Sequence, residues 1–177
     1  MASANFRTYK KVWRWRNIPR SLRKKLLSSL IMSILLYNSE TWTLDNISSK
    51  RLKGYYRSIL WSLSKRKPKP WTTPGETEPE FEYEESVSYE ELLAEMDMPC
   101  VLDLIKARTL NWISHLRRGG EELTLEELQR EEQERSDWWV QFEGYLEDAG
   151  IEVDGWEVVV GDARTTKQFL KWLGYSV

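Results

Sequence analysis

The sequence predicts an all-α protein, and three observations carry that prediction. Apolar residues recur at three- and four-residue intervals through most of the 177 residues. Capping residues precede several of these runs, and glycine follows three of them. The six prolines stand at the start of a run (Pro19, Pro99) or together in one connector (Pro68, Pro70, Pro74, Pro79).

Phe6–Arg16 reads as a short basic helix containing Trp13 and Trp15. After Pro19, the residues Leu22, Leu26, Leu27, Leu30, Ile31, Ile34 and Leu35 mark the buried face of a second helix. Its other side carries Arg20, Arg23, Lys24 and Lys25 in the first turns. Positive charge there opposes the helix dipole, and a phosphate partner would account for it. Asp45 or Asn46 caps the next helix, with Ile47, Leu52, Tyr56, Ile59, Leu60 and Leu63 inward. Lys65–Pro79 holds four prolines and a glycine, so it is an extended connector, partly polyproline-like.

Ser88 with Glu91 makes a capping box for a helix over Tyr89–Met96. Pro99 opens a helix through Arg118, with Leu102, Ile105, Leu110, Trp112, Ile113 and Leu116 apolar, and Gly119–Gly120 ends it. Thr124 with Glu127 forms a second capping box, for one long acidic helix reaching about Asp148 and closed by Gly150. Trp138, Trp139, Phe142 and Tyr145 supply its buried stripe. Trp156–Val160 is expected as a short strand. Asp162 caps a last helix bearing Phe169, Leu170 and Trp172, which Gly174 ends. The organisation is a basic helical segment (1–64), a Pro/Glu-rich connector (65–86), a helical segment (87–120) and an acidic, Trp-rich extension with a small α(+β) element (121–177).

Net charge is −2, yet the charge is segregated. Residues 1–70 hold 17 Lys and Arg against Glu40 and Asp45, a net +15. Residues 71–100 carry ten acids and no base, 101–120 are +3, and 121–177 are −10. A basic block of that density is the footprint of a polyanion partner, RNA or DNA; the alternative is that the acidic blocks fold back and neutralise it. One cysteine, Cys100, excludes a disulfide framework, and with His115 as the lone histidine no metal centre is expected. The apolar run Leu26–Tyr37 is too short to span a membrane. The start, acid-poor before Glu40, resembles an organelle targeting peptide, although no cleaved leader is expected. An intracellular protein is expected, in a mitochondrion or other organelle or in the nucleus.

The stretch Ile18–Leu44 resembles the region after the polymerase core of LINE-type, non-LTR retrotransposon reverse transcriptases. There a basic amphipathic helix runs into Leu-Leu-Tyr-Gly-x-Glu-x-Trp. Leu35, Leu36, Tyr37, Glu40 and Trp42 match, and Asn38 stands where the family has glycine. Lys50-Arg51-Leu52 and Arg57-Ser58-Ile59-Leu60 are similar to the family's next helix. Tyr89–Leu93 and Leu102–Leu116 resemble its closing segment, where Arg108, Leu110, Trp112 and His115 match Arg-x-Leu-x-Trp-x-x-His. The resemblance covers residues 5–118. The connector is longer than the family's, and residues 119–177 match nothing in it. It implies a thumb-like helical bundle that grips template-primer backbone, with Tyr37, Glu40, Trp42, Trp112 and His115 in structural roles. The paired aspartates that hold divalent metals in the polymerase are missing, as is the endonuclease, so no catalytic residue, cofactor or metal is expected.

The phosphate-contact candidates are Lys10, Lys11, Arg14, Arg16, Arg20, Arg23, Lys24 and Lys25, and a second cluster of Lys65, Arg66, Lys67 and Lys69. A solvated helix face competes for the first set and a nuclear-localisation signal for the second. Trp13, Trp15 and Trp71 are candidates for stacking on exposed bases. Trp42 and Trp112 read as core residues, and Trp138, Trp139 and Trp172 as buried against the acidic helix or a protein partner. The expected function is non-enzymatic nucleic-acid binding, RNA above DNA, by a retrotransposon-derived helical protein. One alternative is a structural subunit of a larger ribonucleoprotein, such as a mitochondrial or other organellar ribosome, with the acidic tail on neighbouring proteins. The other is a truncated retroelement product without a selected role.

Overall fold

The computed structural model describes residues 2–9, 18–64, 87–119, 122–154, 156 and 166–173, and these are helical nearly throughout. No strand occurs among the described residues. The chain divides into two compact units, each built from two separate stretches: Met1–Leu35 with Gly54–Met98, and Leu36–Lys53 with Pro99–Val177.

In unit 1, α1 spans Ala2–Thr8; residues 10–16 of the helix expected there lie outside the described residues. Helix α2 (Arg20–Leu27) follows Pro19, whose fixed φ of −58° suits the helix entry. It widens into a π turn (Ser28–Met32) and ends at Ser33–Leu35. Serine hydroxyls compete with the ladder here: Ser33 Oγ donates to the Ser29 carbonyl at 2.6 Å and Ser29 Oγ to that of Leu26 at 3.4 Å. Leu27 and Ile31 are fully buried, whereas Leu22 is 45% exposed. Leu22 lies five residues before Leu27, well around the helix, and the inward position one turn before Leu27 belongs to Arg23.

Helix α3 (Asn46–Leu63) is capped by Asp45, whose Oδ1 accepts from the Ser48 N–H at 2.6 Å. That bond, then the Ser48 hydroxyl, lowers the Asp45 pKa. Its first half belongs to unit 2 and its second half to unit 1. Tyr56, Ile59, Leu60 and Leu63 are buried as expected, but Ile47 is 60% exposed. Nine residues separate Ile47 from Tyr56, which places them on opposite sides of the helix. Helix α4 (Tyr89–Met96) has both bonds of the expected capping box: Glu91 N–H to Ser88 Oγ at 3.1 Å and Ser88 N–H to the Glu91 carboxylate at 2.7 Å.

Unit 2 begins with buried Leu36 and a turn whose Asn38 is left-handed (φ 56°), followed by one 3-10 turn at Ser39–Thr41. Its central helix is α5 (Val101–Gly119). The long acidic helix expected beyond it is two helices: α6 (Glu122–Glu134) and α7 (Asp137–Asp148). Arg135 turns left-handed (φ 46°), and Ser136 starts the new helix by accepting from the Trp139 N–H at 3.2 Å. Thr124 therefore lies inside a helix rather than at its cap. Gly150, with φ 70°, closes α7 as expected. Trp156 is helical, not the start of a strand; residues 157–160, Asp162 and Gly174 lie outside the described residues. Helix α8 (Thr166–Trp172) packs on α5. The core joins Ala107, Leu110 and Ile113 of α5 to Trp139, Phe142 and Leu146 of α7, with Ile151, Trp156, Phe169 and Leu170.

Candidate functional site

The basic residues separate into three groups. Lys10, Lys11, Arg14, Arg16, Lys65, Arg66, Lys67 and Lys69, with Trp13, Trp15 and Trp71, lie outside the described residues. Arg20 opens α2, but its side chain is not described. The remaining three of the first cluster do not share one solvent face. Arg23 is only 3% exposed, and its guanidinium donates to the Leu63 carbonyl at 3.0 Å, so it holds the end of α3 instead of facing a phosphate. The residue sits at the buried face because Arg23, Leu27 and Ile31 recur every four positions. Lys24 pairs with Asp97 at 2.5 Å, and Lys25 is exposed.

A further cationic group was not singled out as a contact from the sequence. Lys50, Arg51 and Lys53 are all exposed on the first half of α3, in unit 2. The signal was present, since they occupy the polar side of a helix whose cap at Asp45 is legible. Arg57 is exposed too, in unit 1, where it donates to the Val87 carbonyl at 2.7 Å.

Unit 2 brings together two stretches nearly seventy residues apart. The Glu40 carbonyl accepts from Trp138 Nε1 at 3.2 Å and from Thr109 Oγ1 at 3.5 Å, and its carboxylate lies 3.6 Å from Arg108. Gln141 clamps the extended segment that follows: its Nε2 donates to the Trp42 carbonyl at 2.9 Å, and its Oε1 accepts from the Leu44 N–H at 2.7 Å. Residues 138–141 thus complete the packing of Glu40–Leu44. Trp42 and Trp112 are half-buried rather than deep in the core. Tyr37 is 77% exposed and His115 is exposed, so neither side chain is buried in the packing. Tyr37 stands just before the left-handed turn at Asn38, and His115 lies away from the core-facing Ile113 and Leu116 of α5.

Next to this docked turn is a cleft of about 470 Å³, lined by Thr41, Thr43, Trp112, Glu127, Arg130, Glu131, Ser136, Asp137 and Trp138. The Trp138 ring stacks on Phe142 at 5.7 Å and meets Trp112 edge-on at 6.2 Å. Trp139 is 2% exposed and donates from Nε1 to Glu143 at 3.0 Å; it is a core residue and offers a partner no surface. The Trp172 side chain is not described. Elsewhere in unit 2, Lys106 bridges Asp148 at 2.6 Å and Asp103 at 3.2 Å. Burial works against its charge, but the two carboxylates outweigh burial and raise its pKa.

Among the described residues no group of three or more His, Cys, Asp or Glu side chains is arranged to hold a metal ion. No helix among them is long and apolar enough to cross a membrane. The geometry supplies cationic surface, a packed double motif and an acidic, aromatic cleft. No family model, curated protein or solved structure matches the chain.

Proposed function

We propose that the chain is a non-enzymatic nucleic-acid-binding protein, with RNA the favoured ligand. Its residues 5–118 are similar to the thumb and following region of a LINE-type reverse transcriptase. Its acidic C-terminal half meets protein partners. The observation that carries the reading is the density of positive charge in residues 1–70, with Lys25, Lys50, Arg51 and Lys53 exposed on helices. Such side chains suit phosphate, which needs long donors and offers no sequence to read. Two structural features support the retroelement origin. Asn38, where the family has glycine, is left-handed, the conformation glycine and asparagine favour. The Glu40–Trp42 motif and the Arg108–Trp112 motif also dock on one another.

Fluorescence anisotropy with labelled single-stranded RNA across a salt series tests the reading. The logarithm of affinity is expected to fall with the logarithm of salt by about 0.7 per phosphate contact. Replacing Lys25, Lys50, Arg51 and Lys53 by Glu is expected to weaken binding about tenfold or more at unchanged helicity. A flat salt response removes the nucleic-acid reading. The partner reading is tested separately by native size in lysate, where migration as a lone chain removes it.

A further inference from the structure

We propose that the cleft on unit 2 is a receptor for a lysine or arginine side chain of a basic protein segment. The inference rests on the reading that the acidic half meets protein, and it names the surface and the chemistry. Its walls are two half-buried tryptophans at right angles, Trp112 and Trp138, whose rings centre 6.2 Å apart. Among the described lining residues, Glu127, Glu131 and Asp137 stand against one cation, Arg130. The lining is therefore net negative and aromatic together. Aromatic faces attract ammonium and guanidinium groups through the ring quadrupole, and neighbouring carboxylates add Coulombic pull.

The chain reaches this arrangement through the break in its acidic segment. Glu127 and Glu131 are one turn apart on α6, while Asp137 is the first residue of α7. A single uninterrupted helix would carry Asp137 six residues further along from Glu131, on its own axis, and could not turn α7 to bring Trp138 to the Glu40 carbonyl.

A protein side chain fits this lining better than a small metabolite. The Ser136 hydroxyl accepts from the Trp139 N–H, and the Trp138 indole N–H is committed to Glu40, so these two polar groups already have partners. Thr41 Oγ1 is likewise bonded to Asn38, so apart from the Thr43 hydroxyl what remains is charge and ring surface, which a long side chain with an apolar stem and a cationic head complements along its length. A volume of about 470 Å³ leaves room for that stem and head.

The test is calorimetric titration of the full chain with a short Arg/Lys-rich peptide and with its Gln-substituted counterpart. Indole N–H resonances of Trp112 and Trp138 are followed in parallel. The basic peptide is expected to bind saturably and shift both indoles, and the Gln peptide to do neither. Neutralising the rim (Glu127→Gln, Glu131→Gln, Asp137→Asn) is expected to weaken binding about tenfold, and Arg130→Glu to strengthen it severalfold. Equal binding of the two peptides, or an unchanged affinity in the neutralised variant with its helicity intact, overturns the proposal. Self-association abolished by that variant overturns it in favour of a second copy. If the peptide fails while the native protein still migrates as a large complex, the cleft is wrong and the partner reading stands.

Discussion

Gln141 supplies with one side-chain amide the two hydrogen bonds that a neighbouring strand would give to Trp42 and Leu44. One turn later on α7, Tyr145 is 9% exposed, and its phenol is pushed up to about 12. Burial is the main cause; a hydrogen bond with Gln141 opposes it, and the charge of Asp148 adds to it. An unfolded tyrosine ionises near pH 10, so between about pH 10 and 12 the unfolded chain loses a proton that the folded chain keeps. The native state is favoured by that retained proton's environment below pH 10, and the advantage disappears as pH rises through the folded value. Comparing chemical denaturation of the protein and Tyr145→Phe isolates the effect. The protein is expected to lose about 2 kcal/mol more than the variant between pH 9 and pH 12. Parallel stability curves would place the phenol in water. Arg23 shows the opposite side of residue-scale reading. Its type suggested a phosphate contact, yet its position every fourth residue with Leu27 and Ile31 decides its fate. Periodicity outranks residue type here because one buried guanidinium with a carbonyl partner costs less than turning the leucine face outward.

At the scale of elements, the Arg135–Ser136 break sets the architecture of unit 2. Ser136 accepts the Trp139 N–H, and Arg135 holds a positive φ with its guanidinium 3.1 Å from Glu143. Ser136→Ala removes the cap and is expected to lower stability by about 1 kcal/mol, measured by urea unfolding. The same variant should leave α4 untouched, because that helix has its own capping box. A cost near zero would mean that packing of Trp139 and Phe142 alone fixes the start of α7. Most helices of the described residues were legible, with the Ser88–Glu91 box, the Asp45 cap and the Gly150 stop where the side-chain chemistry puts them; the helical Trp156 and the start of α1 at Ala2 were not. The break was harder to see. Residues 122–148 are mostly strong helix formers, so local propensity favours continuing, and only Ser136-Asp137 carries the signal of a new start. What stops the helix is tertiary: α7 must turn for its tryptophans to reach α5 and the Glu40 carbonyl. The cleft was illegible for the same reason, since its lining comes from four stretches of sequence.

Over the whole molecule, the boundary expected from the sequence near residue 120 is not the edge of a folding unit. Unit 2 starts at Leu36 and runs, with its partner stretch, to Val177. Helix α5 carries Arg108–His115, but the buried residues that share a core with its Ala107, Leu110 and Ile113 are Trp139, Phe142, Leu146, Ile151, Trp156, Phe169 and Leu170. All seven come from residues 139–170, beyond that boundary. Glu40 and Trp42 likewise take hydrogen bonds from Trp138 and Gln141. Fully burying each large apolar side chain contributes roughly 2 kcal/mol, so removing all seven costs about 14 kcal/mol, comparable to the whole stability of an ordinary domain. Truncation after Arg118 is therefore expected to abolish the cooperative unfolding of unit 2 and to expose the apolar face of α5. Circular dichroism melts and dye binding read both effects. Adding the detached segment 119–177 to the truncated chain should restore a cooperative transition if the two parts recognise each other as they do within one chain. A truncated chain that melts as sharply as the full one would mean that α5 covers its own apolar face, and that the acidic extension is an appendage rather than half of the core.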